Sequence, residues 1–149
     1  MKKFTLCALF SFSSILCCSI TALAQIEKPY KEGPVWNVSF IQTKPGMQDT
    51  YLKDLSEHWI KVMEEAKREG IIIDYKIIAS APAAKTDWDL MLMTQFKNFA
   101  ALDDTQDKFD AIAKKLFETE DAQHKAAISR NDMRDQLGGK LGRELIFKQ

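Results

Sequence analysis

The sequence predicts an α+β domain with the order βαββαβ and one further helix before the last strand. Three observations carry this. Asp87–Phe96 is a long strand-like run with apolar residues on both alternating faces, as a strand covered on both sides requires. Met47–Glu69 repeats apolar residues at three- and four-residue steps, the period of an amphipathic helix. Alternating runs lie at Val35–Gln42, Ile71–Ser80 and Leu141–Lys148, separated by glycine and proline breaks.

The chain has 149 residues, enough for one well-cored domain. It opens on Lys2 and Lys3, a mostly apolar stretch Phe4–Ile20, and the small-residue exit Ala22-Leu23-Ala24. This is the pattern of an export signal spanning 1–24, with Gln25 as the first mature residue. All three cysteines, Cys7, Cys17 and Cys18, fall inside it. The mature chain is therefore expected to be cysteine-free, without disulfides, thiolate chemistry or cysteine-bound metal. Losing Lys2 and Lys3 leaves 19 basic against 21 acidic residues, with no surplus to collect nucleic-acid phosphates. The expected location is periplasmic or secreted, with no membrane attachment after cleavage.

Residues 25–34, with Pro29, Gly33 and Pro34, read as an extended lead-in to a domain over 35–149. In the first strand Trp36, Val38 and Phe40 alternate with Asn37 and Ser39, and Lys44-Pro45-Gly46 ends it. The first helix carries Tyr51, Leu55, Trp59, Val62, Met63 and Ala66 on its stripe and stops at Gly70. In the second strand Ile71, Ile73, Tyr75 and Ile77 oppose Ile72, Asp74, Lys76 and Ile78. In the third, Trp88, Leu90, Leu92 and Phe96 oppose Asp89, Met91 and Met93. Asn98 caps a second helix that starts with Phe99 and Leu102, kinks near Asp104-Thr105 and continues through Phe109, Ile112 and Leu116. Glu118–Gln136 is charged and reads as an exposed extra helix broken by Gly138-Gly139. The last strand is Leu141–Lys148.

Right-handed crossovers put the first and third strands at the centre of a four-stranded antiparallel sheet, with both long helices on one face. Trp36, Val38, Phe40, Ile73, Tyr75, Leu90, Leu92 and Phe96 are the expected core beneath them. The other face would then carry Ile41, Ile72, Ile78, Met91 and Met93 with nothing to cover it. A second copy of the chain is the expected cover, making a homodimer.

The runs His58-Trp59, Trp88-Asp89-Leu90-Met91-Leu92, Lys108-Phe109-Asp110 and Leu137-Gly138-Gly139-Lys140-Leu141 resemble a group of exported bacterial proteins of unassigned function. That group is of the dimeric α/β barrel type, built on ferredoxin-like domains. The resemblance covers about Val35–Lys148. It implies the same fold and a pocket between sheet and helices. The superfamily includes cofactor-independent monooxygenases, haem-processing enzymes and lactone isomerases, and none of their catalytic motifs matches residue by residue.

His58 stands beside the first helix's apolar stripe, four residues after Asp54. Two roles are open to it: a base or haem ligand in a pocket, or a half-exposed histidine paired with Asp54 or Glu57. Trp36 and Tyr75 are the aromatic candidates for the pocket wall. Arg143 is a charge in an apolar layer, placed to receive an anion or to reach water at the sheet end. His58, Tyr75, Trp36 and Arg143 are therefore the candidate pocket residues, with no catalytic residue assigned. Asp121 and His124 are too few for a zinc site, and no metal is expected. No cofactor is expected, haem through His58 being the special case. The two function classes that remain are binding of a small apolar or aromatic molecule, with oxygenase or isomerase chemistry as an extension, and a non-catalytic homodimeric interaction module.

Overall fold

The computed structural model describes residues 27–117 and 120–149 and, within the fourth helix, no side chain of 120–124 or 126. The expected signal at 1–24 lies outside the described residues. The elements are β1 (Tyr30–Thr43), α1 (Gln48–Asp54), a π-helical turn (Leu55–Trp59), α2 (Ile60–Arg68), β2 (Asp74–Ala79), β3 (Leu90–Phe96), a 3-10 turn (Phe99–Leu102), α3 (Thr105–Leu116), α4 (Glu120–Met133) and β4 (Arg134–Phe147). The strands form one open four-stranded sheet in the order β2-β3-β1-β4, and all three pairings are antiparallel. This is the ferredoxin-like arrangement, with α4 added before β4.

α1, the π turn and α2 form one rod, because every cap residue between them keeps right-handed helical dihedrals. Tyr51, Leu55, Trp59 and Met63 recur at steps of four. In a regular α-helix each such step drifts by about 40°. The wider π turn reverses that drift midway and keeps all four residues on the sheet side. Gly70 ends the rod at φ +73°, with its N–H on the Lys67 carbonyl (3.1 Å). Asn98 caps the 3-10 turn, its side chain accepting from the Ala101 N–H at 2.9 Å. α3 then starts after Asp104, which adopts a left-handed conformation and makes the expected kink.

The core has two parts. One joins Val35, Met63, Ala66, Ile72, Phe96 and Ile112. The other joins Ile41, Tyr51, Leu55, Leu90, Leu92 and Met133. Directly opposed residues in an antiparallel pair share a face. The pairs Val35–Phe96, Asn37–Thr94, Ser39–Leu92 and Ile41–Leu90 therefore face the helices, and Trp36–Gln95, Val38–Met93 and Phe40–Met91 face away.

This corrects the expected phase of β1. Trp36, Val38 and Phe40 lie on the open face, and Ile41 lies in the core. The start of β2 is corrected likewise: Ile72 is buried and Ile73 is 46% exposed, because the chain is irregular until Asp74. Trp88 also leaves the core, packing on Phe40 of the open face at 5.8 Å between ring centroids. Its backbone precedes the regular part of β3, so strict alternation does not reach it.

The glycine run does not break a helix. Gly138 and Gly139 lie inside β4, opposite Phe40 and Ser39. A Cβ on Gly139 would stand 2.8 Å from the Val38 carbonyl oxygen, so a side chain there would push the strands apart. Strand pairing also begins earlier than Val35, at Tyr30 with Phe147.

Two polar features hold the layers in place. Asp89 is nearly buried and accepts from the Thr43 N–H (3.0 Å) and the Thr43 hydroxyl, locking the start of β3 to the end of β1. Glu65 on α2 accepts from Arg68 (Nε, 2.8 Å) and from Lys115 of α3 (2.5 Å). Arg68 and then Lys115 draw the Glu65 carboxyl down from 4.5 to about 2. A carboxyl held lower in the folded chain than in the unfolded one stabilises the fold above its ordinary value, and that stabilisation fades as pH falls. Acid unfolding between pH 4.5 and about 2 should therefore include a contribution that Glu65→Gln removes. Urea midpoints of the two proteins across that range check it, and parallel pH profiles would refute it.

Candidate functional site

Two neighbouring cavities lie on the helix side of the sheet. The larger, about 520 Å³, opens between the helices and is lined by His58, Trp59, Val62, Gln106, Phe109, Asp110, Ala113, Phe117, Ala127 and Arg130. The smaller, about 200 Å³, lies beneath, between sheet and helices, with Asn37, Ser39, Leu92 and Thr94 on its strand side. Trp59 and Phe109 wall both cavities.

Helical spacing explains the lining. On α3, Ile112 turns to the core, while Gln106, Asp110, Ala113 and Phe117 follow at three- and four-residue steps on the groove side. Ala113 and Ala127 are small, and their missing bulk leaves the space. α4 brings Ala127 and Arg130, three residues apart, to the rim. The helix expected to be an exposed addition therefore forms one wall of the groove.

His58 sits in the π turn, a local widening that often marks functional positions in helices. Its Nδ1 lies 2.9 Å from the Asp54 carboxylate (Oδ1) and 3.1 Å from the Asp54 carbonyl oxygen. Both are acceptors, so Nδ1 carries the proton. In the neutral ring Nε2 is then the acceptor. The His58 side chain is 31% exposed and that of Asp54 12%. The second Asp54 oxygen lies 3.6 Å from Arg130 Nε. The Phe117 ring packs on His58 at 5.3 Å. Two segments, the rod and α4, thus meet in a line Arg130–Asp54–His58 ending at the groove.

The four residues expected around a pocket do not converge. His58 lines the larger cavity. Tyr75 stands behind its wall, edge-on to Trp59 at 5.4 Å, and its hydroxyl donates to Glu64. That carboxylate, with burial adding to it, raises the Tyr75 phenol to about 12. Trp36 is on the opposite face of the sheet, donating to Glu144 at 3.0 Å with Lys76 over its ring at 5.2 Å. Arg143 is on the helix side as expected, but it pairs with Glu32 and covers Phe99 at 4.7 Å, outside both cavities. The side chains of Asp121 and His124 lie outside the described residues.

Gln106, Asp110 and Arg130, and the strand residues Asn37, Ser39 and Thr94, were not anticipated at a site. Asn37, Ser39 and Thr94 carry a readable signal. They are polar residues on strands whose inward neighbours, Val35, Ile41, Leu92 and Phe96, are apolar. Asn37 is also corrected in phase, having been expected on the face away from the helices. Among the described residues, no helix is long and apolar enough to cross a membrane.

No protein-family model matches the chain, and no curated protein matches it. A crystal structure of a Shewanella oneidensis protein matches with a TM-score of 0.50 and 16% identity, over 78% of this chain and 98% of that one. A protein from an uncultured marine organism, described as dimeric and ferredoxin-like, matches with a TM-score of 0.45 and 13% identity, over 79% and 91%. At these identities the likeness to the Shewanella protein is one of fold, the same ferredoxin-like arrangement that the strand order of this chain identifies.

Proposed function

We propose that the mature, exported chain binds a small aromatic molecule in the groove between its helices. The observation that carries this is the groove itself: a space of about 520 Å³ with Trp59, Phe109 and Phe117 as walls and a few polar groups at the rim. Ligand sites combine apolar walls with a small number of placed polar groups in this way. A space kept open by alanines costs packing energy that a filled core would recover.

The dye 1-anilinonaphthalene-8-sulfonate should bind the purified protein and brighten. Ala113→Trp places an indole in the groove, and should weaken that binding by about tenfold or more, a loss of about 1.4 kcal/mol. Unchanged dye binding by a folded Ala113→Trp protein would rule the groove out as the site.

A second reading concerns assembly and rests on the sheet's other face. Trp36, Val38, Phe40, Ile78, Met91 and Met93 belong to neither buried cluster, and together they make a continuous apolar surface. Lys76, Lys140 and Glu144 stand around them on the same face. An apolar centre with a charged rim is the composition of a protein interface. A second copy presenting the same face would cover it in a homodimer, with the grooves left free on the outer sides.

A further inference from the structure

The line Arg130–Asp54–His58 supports a sharper statement, which rests on the groove being the ligand site. We propose that His58 is a base, and that the ligand is a planar aromatic carrying a weakly acidic hydroxyl. Two oxygens of Asp54 face Nδ1, at 2.9 and 3.1 Å, so the nitrogen that remains to meet a ligand is Nε2, a lone-pair site in the neutral ring.

The surroundings favour proton acceptance there. The Asp54 carboxylate lies against the ring and balances the charge that the ring gains. Arg130 faces the other carboxylate oxygen from α4, at 3.6 Å. Asp110, facing the groove from α3, adds a second negative group, and its Oδ1 accepts from Gln106 at 2.8 Å. A group entering against His58 therefore meets a lone-pair acceptor within a rim of mixed charge, Asp110 on one side and Arg130 on the other. A hydroxyl donor fits that acceptor.

The apolar part of the ligand follows from Trp59, Phe109 and Phe117, which offer ring surfaces beside the imidazole. The reaction step is a proton transfer. The ligand O–H bond breaks, its proton goes to Nε2, and the electron pair stays on oxygen. A phenolate-type anion is left beside an imidazolium paired with Asp54. No further reactant is needed. His58 is the residue that touches the ligand, and Asp54 and Arg130 position it.

The test compares 4-nitrophenol with 4-nitroanisole, its methyl ether, on the purified protein. The phenol should bind at least about tenfold more tightly, the effect of a hydrogen bond to an ionised group. At a pH where the free probe is mostly protonated, binding should raise the visible nitrophenolate band. His58→Gln should abolish the band and leave the phenol and the ether with the same affinity. Asp54→Asn should reduce the band and narrow the preference for the phenol. Equal affinity for the two probes in the unmodified protein, or a band that survives His58→Gln, would overturn the proposal. So would a hemin Soret shift that His58→Gln removes, which would make His58 a metal ligand. If neither probe binds, the groove reading fails and this proposal fails with it.

Discussion

Replacing Ile41 with Ala is expected to destabilise the fold by about 3 kcal/mol, while Phe40→Ala, one residue earlier, should cost the monomer only about 1 kcal/mol. Side-chain size alone argues the reverse order. The difference lies in which side of the sheet each residue faces. Ile41 is 1% exposed and packs with Tyr51, Leu55, Leu90 and Met133, so truncation leaves a cavity under the helix layer. Phe40 belongs to neither buried cluster and rests on Trp88 at the open face. Urea denaturation at nanomolar protein, where an interface contributes least, separates the two costs. A larger loss for Phe40→Ala would mean that β1 sits in the opposite phase.

Met91→Glu should convert a homodimer into a monomer. Met91 stands between Phe40 on β1 and Ile78 on β2, with apolar neighbours on both sides and no cation directly opposite. A carboxylate placed there would be buried unpaired on association. The cost of about 3 kcal/mol or more corresponds to at least about a hundredfold weaker assembly. Sedimentation equilibrium at micromolar concentration should give twice the chain mass for the unmodified protein and the single-chain mass for the variant. The variant should keep the groove and its dye binding, because the two faces of the sheet are separate. A monomeric unmodified protein at that concentration would sink the dimer reading.

Much of this architecture is legible in the sequence. The order of elements and the central places of β1 and β3 follow from periodicity and crossover handedness. Asn98 and the kink at Asp104 follow from capping and turn chemistry. The phase of β1 was not legible, because both of its faces are apolar: Trp36, Val38 and Phe40 on one, Val35 and Ile41 on the other. Alternation states that two faces exist and leaves open which one turns inward. The larger side chains pointed to the wrong answer. The inward face carries Asn37 and Ser39 because a cavity lies above them, and that space depends on Trp59, Met63 and Phe109 from two other elements.

The glycines of β4 misled for a related reason. A Gly-Gly pair within a polar stretch reads as a break, yet Gly139 is required by the closeness of the Val38 carbonyl, a neighbour about 100 residues away in the chain. The same ambiguity of phase makes Trp36 look like a pocket residue, although it pairs with Gln95 on the open face.

At the site, the pairing of His58 with Asp54 is a local event. A spacing of four on a helix brings the two side chains together whatever the rest of the chain does. Local chemistry thus accounts for the elements, their order, the sheet's covered and uncovered faces, and the His58–Asp54 pair. The groove, the inward face of β1 and the place of Arg130 beside Asp54 come from contacts between distant segments. Strand register and helix packing select among arrangements that local periodicity leaves equal in energy, so these features exist only once the layers have closed on one another.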